Sequence, residues 1–269
     1  MIDAALDFCQ TGYYDRFDDG LIHRKVCPFI VIVQTLKGLY QVQTADESAD
    51  IPSGDVFVVL SNTPMTISHH HRNGGMASQW LHARWLTYGG LDISACLKTP
   101  LRLRGKTAAS IGKKISELLE IQTDDRLVAS ARRASAAYHI LADICDASTV
   151  HSDVLKSIDR LPVVKQALSE MARRIGEPLT VNALARHAFL SPSRFYEVFR
   201  STMNCTPKEC IRSMKMSKAC DLLTSTTFSV SEIADKLGYG SPHNFSRDFK
   251  KRYAVSPLTY RRQHTNLVV

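Results

Sequence analysis

One ten-residue pattern occurs twice in this chain, and it limits the possible folds more than any other feature. Serine, proline, two phenylalanines four positions apart and a final basic residue recur at 191–200 and 241–250. A serine N-cap, an early proline and apolar side chains at i and i+4 are typical of a short helix with one buried face. A shorter amphipathic stretch precedes each copy, at 181–185 and 230–234. The two copies therefore predict two helix-turn-helix modules in tandem.

The segment between the two copies is predicted to be a helix that joins the modules. Thr206 can cap it, Pro207 suits its first position, and apolar residues recur along 207–223. At about 1.5 Å per residue, this helix would span about 26 Å. A spacer of that length would hold the modules about one DNA turn, roughly 34 Å, apart, so that both contact the same face of a duplex. A small residue falls near each predicted turn, Ala188 in the first module and Gly238 in the second.

The excess positive charge lies in the part of the chain that holds the repeat. The sequence has 34 Lys and Arg against 26 Asp and Glu, a net charge of +8. Residues 162–269 contain 17 basic and 8 acidic side chains, so residues 1–161 have a net charge of −1. A basic domain attracts polyanions, chiefly through release of counterions from phosphate. A basic face that only keeps the protein soluble is the alternative, and the repeat favours DNA. Because the basic residues are spread over several helices, a membrane-surface role is disfavoured.

The first residues, the lack of long apolar stretches and the cysteines predict a cytoplasmic protein. The first ten residues contain two aspartates, and no long apolar run follows them, so no secretory signal is expected. No apolar stretch approaches the roughly 20 residues that span a bilayer, so no membrane partner is expected. The seven cysteines include no C-x-x-C pair and are expected to be reduced, buried thiols. A redox pair of Cys205 and Cys210 is the alternative.

The front of the chain is predicted to be rich in β-strands. Short runs of β-branched and aromatic residues, separated by Gly, Pro, Asn and Asp, occur between residues 27 and 90. These runs lie at 29–33, 39–42, 56–60, 65–68 and 81–86. Their number and spacing favour a small barrel or a jelly roll.

From about residue 106 the apolar residues recur with helical spacing instead. A longer helical segment follows at 127–145, and a polar stretch at 147–160 is predicted to hold a linker. Another helix, at 163–175, then precedes the first module. The side chains expected to face inward in the longer segment are Val128, Ala131, Ala134, Tyr138, Leu141 and Ile144.

The last hundred or so residues resemble the DNA-binding domain of AraC/XylS-type bacterial transcription regulators. The residues that carry the resemblance are Leu184-Ala185, Ser191-Pro192, Phe195, Phe199-Arg200, Thr206-Pro207, Ile211, Ala219, Ile233-Ala234, Gly238-Tyr239, the run 245–250, Ser256-Pro257 and Tyr260-Arg261. The front half is similar in layout to the cupin-like sensing domains that precede this module in many members, and the motif at 51–56 resembles a barrel turn of such domains.

The resemblance implies an α+β protein with two domains. Residues 1–150 would form a cupin-like β-barrel with a helical appendage, for ligand binding and dimerisation. Residues 162–264 would form an all-α DNA-binding domain of two helix-turn-helix modules and a connecting helix. The implied function is a transcription regulator, an activator, that binds promoter DNA, works with RNA polymerase and responds to a sugar or related metabolite. Segment 106–147 is either a homodimer surface or packs only on its own barrel. An effector would act by favouring one arrangement of the two halves.

The resemblance also assigns the outer faces of the two recognition helices to DNA. The expected contacts are Ser193, Tyr196, Glu197 and Arg200 in the first module and Pro242, His243, Ser246, Arg247, Lys250 and Lys251 in the second. Arg247 is expected to read sequence directly, since its guanidinium can donate twice to guanine O6 and N7. Arg200, Lys250 and Lys251 would bind phosphates, and His243 a base or a phosphate.

Glu197 is unusual on a face expected to bind DNA, because a carboxylate repels phosphate. It would accept a hydrogen bond from cytosine N4, or pair with Arg194 or Arg200 on its own helix. The phenylalanines of the repeat are better explained as core. They are Phe195, Phe199, Phe245 and Phe249.

Histidines at 69–71 and His82 raise the question of a metal site in the front half. Neighbouring residues on a strand face opposite ways, so three consecutive histidines cannot all ligate one ion. No metal and no other cofactor is expected, and these histidines are expected to be solvated at a strand end.

Catalytic residues are not expected either. No nucleophile elbow, P-loop or H-E-x-x-H motif is present. Two alternatives stay open. In the first, the protein binds DNA, and its front domain only forms oligomers or contacts a partner protein. In the second, the chain is a metal-dependent cupin enzyme with a basic DNA-binding appendage.

Overall fold

The computed structural model describes residues 4–16, 20–71, 75–87, 91–124, 126–150, 161–203, 205–253 and 255–265. The chain divides into two compact units. Residues 5–85 and 92–150 form the first, called the front unit here. The described residues from 161 onward form the main part of the second, called the helical unit. The predicted linker at 147–160 falls largely on residues 151–160, which lie outside the described residues.

The front unit contains two main antiparallel sheets. Its strands are β1 Ala5–Arg16, β2 Ile22–Val26, β3 Ile30–Lys37, β4 Leu39–Gln43, β5 Ser48–Pro52, β6 Val56–Val59, β7 Pro64–His70, β8 Met76–Thr87, β9 Leu91–Asp92, β10 Leu97–Lys98, β11 Arg102–Leu103 and β12 Thr149–Val150. One sheet has the order β1-β8-β3-β6-β11, with β9 beside β8, and the other has the order β2-β7-β4-β5. β10 and β12 form a separate pair.

The two sheets bury their facing sides against each other. The shared core includes Val33 and Phe57 from the first sheet and Val42 and Ile67 from the second. In β4 and β7 buried residues alternate with more exposed ones, as expected for a sheet with one face in water. β6 is buried throughout because helix α1, Gly105–Glu120, covers the outer side of that sheet.

The predicted barrel is realised as two packed sheets. In the described ranges no strand pairing joins one sheet to the other, so the sheets do not close into a barrel, and the arrangement is compatible with a cupin-like fold. All five predicted strand regions are confirmed. Strands β1, β2 and β5 were not predicted, because exposed polar and charged side chains break their apolar pattern.

The second helix of the front unit, α2, spans Leu127–Asp146. Its predicted inward face is partly wrong. Val128, Ala131 and Tyr138 are exposed, whereas Leu141 and Ile144 are buried as expected. The other buried positions are Ala129, Ala136, Ala137 and Ile140. Three of these four are alanines, whose short side chains let α2 lie close to α1.

The helical unit contains seven helices in its described part. They are α3 Leu161–Arg173, α4 Val181–His187, α5 Pro192–Met203, α6 Pro207–Ser225, α7 Val230–Lys236, α8 Pro242–Tyr253 and α9 Pro257–Thr265. We call α3–α5 the first module, α6 the connecting helix and α7–α9 the second module. None of the helices in the described ranges combines the length and apolar character needed to cross a lipid bilayer.

The helix starts follow the predicted capping chemistry. Thr206 caps α6, with Pro207 in the first turn. The Thr206 hydroxyl accepts from the Glu209 N–H, and the Glu209 carboxylate accepts from the Thr206 N–H, which holds the pKa of Glu209 below its usual range. Ser229 and Glu232 form the same reciprocal pair at the start of α7. Each pair satisfies two backbone N–H groups that a helix end would otherwise leave unpaired.

Candidate nucleic-acid interface

The phenylalanines of the repeat anchor both recognition helices from the inside. Phe195 and Phe199 on α5 are fully buried, with ring centroids 5.7 Å apart. Phe245 and Phe249 on α8 are fully buried in the same way, at 5.8 Å. Their predicted role as core is confirmed. Burying one side of each helix turns its opposite side to solvent.

The outer side of α5 carries the four residues predicted for the first module. Ser193, Tyr196, Glu197 and Arg200 are all exposed. An oxygen of the Glu197 carboxylate lies 2.8 Å from a guanidinium nitrogen of Arg194. Of the two partners expected for this carboxylate within its helix, the structure therefore shows Arg194. Because both side chains are largely exposed, the pair contributes little stability.

The outer side of α8 carries the six residues predicted for the second module. Pro242, His243, Arg247, Lys250 and Lys251 are exposed, and Ser246 is half-buried. Lys250 and Lys251 are followed by Arg252, so the last turn of the helix is strongly basic.

Arg247 is held only loosely by its own helix. One of its terminal nitrogens donates to the Asn244 side-chain oxygen across 3.4 Å. The long distance and the exposure of the side chain leave the guanidinium able to reorient toward a ligand.

The one acidic residue of α8 faces away from this outer side. Asp248 is mostly buried and lies 3.3 Å from the Arg212 guanidinium of the connecting helix. It also accepts a hydrogen bond from the Tyr239 hydroxyl, at 3.3 Å. Burial, together with the negative charge of Asp248, raises the pKa of Tyr239 to about 12. The exposed side of α8 therefore presents positive charge without a competing carboxylate.

The turn of the first module contains a residue that sequence reasoning missed. Phe189 has φ 54 and is 90% exposed, whereas Ala188, the small residue expected near this turn, is buried. In the second module the left-handed position belongs to Gly238, with φ +65. A left-handed conformation favours glycine, so an exposed phenylalanine there gave no signal in the sequence.

The histidines of the front unit are not all solvated. His69 is only 3% exposed, which corrects the prediction for this residue. Its Nδ1 lies 3.3 Å from the Tyr14 hydroxyl, and its ring centroid lies 4.8 Å from Tyr40 and 5.0 Å from His23. The pairing of β4 with β7 places His69 opposite Tyr40, so the β7 face that carries His69 points into the core.

Other potential ligands in the front unit are spread out. His70 is exposed, His71 is half-buried, and His82 stacks between Phe29 and Trp80 with centroid distances of 4.6 and 4.4 Å. In the part of the chain that the structure describes, no group of three or more His, Cys, Asp or Glu side chains is placed to hold a metal ion.

All seven cysteines are free thiols. Burial raises the pKa of Cys27 to about 11. Cys205 and Cys210 hydrogen-bond to each other, which lowers the pKa of the Cys205 thiol. Cys27, Cys96, Cys210 and Cys220 are buried as expected, whereas Cys9, Cys145 and Cys205 are only half-buried.

Comparison with known proteins matches both halves of the chain. A model of a helix-turn-helix domain matches residues 184–263. The lactose operon transcription activator of Staphylococcus xylosus is 32% identical over 280 residues, covering 97% of this chain and 93% of that protein. The chain belongs to the AraC/XylS family. It is a DNA-binding transcription regulator.

Further relatives extend the likeness along the whole chain of this AraC/XylS protein. The Msm operon regulatory protein of Streptococcus mutans is 22% identical over 264 residues, which cover 96% of this chain and 90% of that protein. The crystal structure of ToxT from Vibrio cholerae superposes with a TM-score of 0.58 at 13% identity, covering 96% of this chain and 98% of that one. The chain therefore has a ToxT-like fold, with a β-rich front unit and a helical helix-turn-helix unit.

Proposed function

We propose that this AraC/XylS protein activates genes for the use of a sugar or a related metabolite. It would bind promoter DNA through α5 and α8, recruit RNA polymerase there, and respond to the metabolite through its front unit. The observation that carries the proposal is the near full-length likeness to an activator named for a lactose operon. That likeness covers the front unit as well as the helix-turn-helix modules, which supports a shared role for both halves.

We assign ligand binding and dimerisation to residues 1–150 and DNA binding to residues 162–264. The two recognition helices would enter consecutive major grooves. The connecting helix has 19 residues, and at 1.5 Å per residue it is about 28 Å long. That length suits two half-sites about one turn, roughly 34 Å, apart on one face of the duplex.

The second module would read more sequence than the first. Arg247 would donate to O6 and N7 of a guanine, and His243 would contact a base or a phosphate. Lys250 and Lys251 would neutralise phosphates and set the register of α8. Pro242 and Ser246 would line the edge of the contact.

In the first module, Arg200 would bind phosphate, with Ser193 and Tyr196 near the bases. Glu197 is held by Arg194, and the pair removes one positive charge from this face. The first module would therefore contribute less to base recognition.

The effector would bind among the aromatic side chains between the two sheets. Trp80, Tyr14 and Phe8 are the partly buried aromatic side chains packed against that core. Trp80 stacks on His82, and the Tyr14 hydroxyl lies beside His69. Flat aromatic faces with a few polar groups at their edges are typical of small-molecule sites. A sugar ring offers both apolar C–H faces and hydroxyl groups to such a surface.

A metabolite panel tests this assignment by thermal melting. A ligand that binds only the folded protein stabilises it by about 2.7 kcal/mol at a hundredfold excess over Kd. We expect one sugar or related metabolite to raise the melting temperature of the full chain, and Trp80→Phe to reduce that shift. A panel on which no compound shifts the transition would favour a front unit that only forms oligomers or contacts a partner protein.

The rival from another class is a metal-dependent cupin enzyme with a DNA-binding appendage. It requires bound metal, so elemental analysis of the purified protein separates the two. About one equivalent of a transition metal per chain would favour the enzyme. We propose no catalytic activity and no cofactor, since the full-length relatives are regulators.

We also propose that the chain acts in the cytoplasm and forms homodimers. The exposed side of α2 is the candidate surface, since Leu127, Val128 and Tyr138 are large, apolar or aromatic and exposed there. Exposed apolar side chains that cluster on one helix are a common mark of a protein contact. Sedimentation of the full chain with and without Val128→Asp would test this surface.

A further inference from the structure

The two helix-turn-helix modules touch each other directly, backbone against backbone. Gly176 lies in the loop after α3 in the first module, and Gly238 lies in the turn between α7 and α8 in the second. A Cβ on Gly176 would fall 2.4 Å from the carbonyl oxygen of Lys236. A Cβ on Gly238 would fall 2.2 Å from the carbonyl oxygen of Gly176. Both distances are shorter than real Cβ contacts, so only glycine allows this approach at either position.

Hydrogen atoms on the two glycine Cα atoms occupy these directions. Each therefore points at a carbonyl oxygen of the other module, as in the Cα–H···O contacts that recur between closely packed backbones. Gly238 has φ +65 in addition, so a side chain there would also be strained.

The connecting helix contacts the same turn of the second module. The Lys215 ammonium lies 5.5 Å from the centre of the Tyr239 ring, a cation–π distance. Arg212, one turn earlier on α6, pairs with Asp248 on α8. The turn at 237–241 is therefore contacted from two sides, by the first module and by the connecting helix.

The corresponding turn of the first module has no such cover. Phe189 occupies its left-handed position and is 90% exposed. The contact at Gly238 is thus a feature of the second module alone and not a consequence of the repeated pattern.

The connecting helix is itself attached to the second module, through Arg212 and through the Arg261 guanidinium, which donates to the Leu223 carbonyl oxygen. Thr206, where this helix begins, has extended backbone angles, so the first module could rotate about the link at that end. A second attachment between the modules, away from the link, removes that rotation. The backbone contact between Gly176 and Gly238 is such an attachment.

We propose that Gly176 and Gly238 fix the spacing of the two recognition helices and so determine which separation of DNA half-sites the protein accepts. This inference rests on the proposed function of α5 and α8. One added base pair moves one half-site by about 3.4 Å and turns it by about 35°. A locked pair of modules cannot follow both changes, whereas a hinged pair can.

The test uses the full chain and a duplex that it selects from a random pool. Binding is then measured on that duplex, on a version with one base pair inserted between the half-sites, and on a single half-site. For the wild type we expect the insertion to weaken binding on the order of tenfold, because the second module can no longer bind as part of the same rigid body.

Gly176→Ala is expected to remove most of this preference. Its insertion penalty should fall to about threefold or less, its affinity for the selected duplex should fall about tenfold, and its binding to the single half-site should stay within about twofold of wild type. The matched control is Gly240→Ala, in the same turn as Gly238, where a Cβ would meet nothing within 4 Å. It should behave as the wild type does.

An insertion penalty of Gly176→Ala equal to that of the wild type would overturn the inference. If circular dichroism shows that Gly176→Ala does not fold, Gly238→Asn decides, because asparagine tolerates the left-handed angles of this turn while its Cβ meets the carbonyl oxygen of Gly176. A reduced penalty supports the inference, and an unchanged one overturns it. Failure of the wild type to enrich any duplex would instead contradict the proposed DNA contacts, and the inference would fall with them.

Discussion

Phe249→Ala is expected to lower the free energy of unfolding of the helical unit by about 3–5 kcal/mol, the range for a buried phenylalanine. The Phe249 ring is fully buried, and its centroid lies 4.7 Å from Tyr253 and 5.4 Å from Tyr260. Removing the ring takes away the core that holds α8 against α9. Urea denaturation followed by circular dichroism measures the loss. DNA binding should fall with it, because α8 loses its support.

The matched control is Phe189→Ala. The same side chain is removed there, at a position that is 90% exposed, so stability should change by no more than about 0.5 kcal/mol. Similar losses for the two variants would mean that burial of the repeat phenylalanines is not what stabilises the modules.

Arg247→Ala is expected to weaken binding to the operator by about 1–3 kcal/mol and to relax selectivity at one base pair. Arg247 is exposed on the outer side of α8 and has only a 3.4 Å hydrogen bond to Asn244. Its guanidinium can therefore turn to a guanine and lose only this one weak hydrogen bond. Binding measured on the operator, on its single-base variants and on random duplex separates base readout from backbone contact.

Lys250→Ala provides the comparison, because a phosphate contact carries no sequence information. It should weaken binding to operator and random DNA alike, and reduce the slope of log affinity against log salt by about one. If Arg247→Ala also weakened both duplexes equally, Arg247 would be a backbone contact and base readout would have to come from elsewhere on α8.

The helical unit could be predicted well from sequence because its signals are local. Serine or threonine caps, prolines in the first turn and phenylalanines at i and i+4 all lie within one helix each. The contact between Gly176 and Gly238 could not be predicted, since the two residues are far apart in the chain. A glycine in a sequence can also serve a turn or a helix end, so its presence alone does not indicate a close backbone contact. Phe189 was missed because nothing in its residue type indicates a left-handed turn.

The front unit was predicted less completely because its signals are long-range. Strands β3, β4, β6, β7 and β8 have strong apolar runs, whereas β1 and β2 are half-exposed and carry charged side chains. Burial of His69 depends on its pairing opposite Tyr40 across two strands, which the sequence does not display. On α2 the buried side is lined largely by alanines, so larger residues on the exposed side dominated the pattern.

Hydroxyl-radical footprinting of the full chain on its selected duplex tests the central claim most directly. Two recognition helices joined by the connecting helix predict two protected tracts on one face of the DNA, centred about 10–10.5 base pairs apart. A single protected tract, or two tracts on opposite faces, would contradict the account.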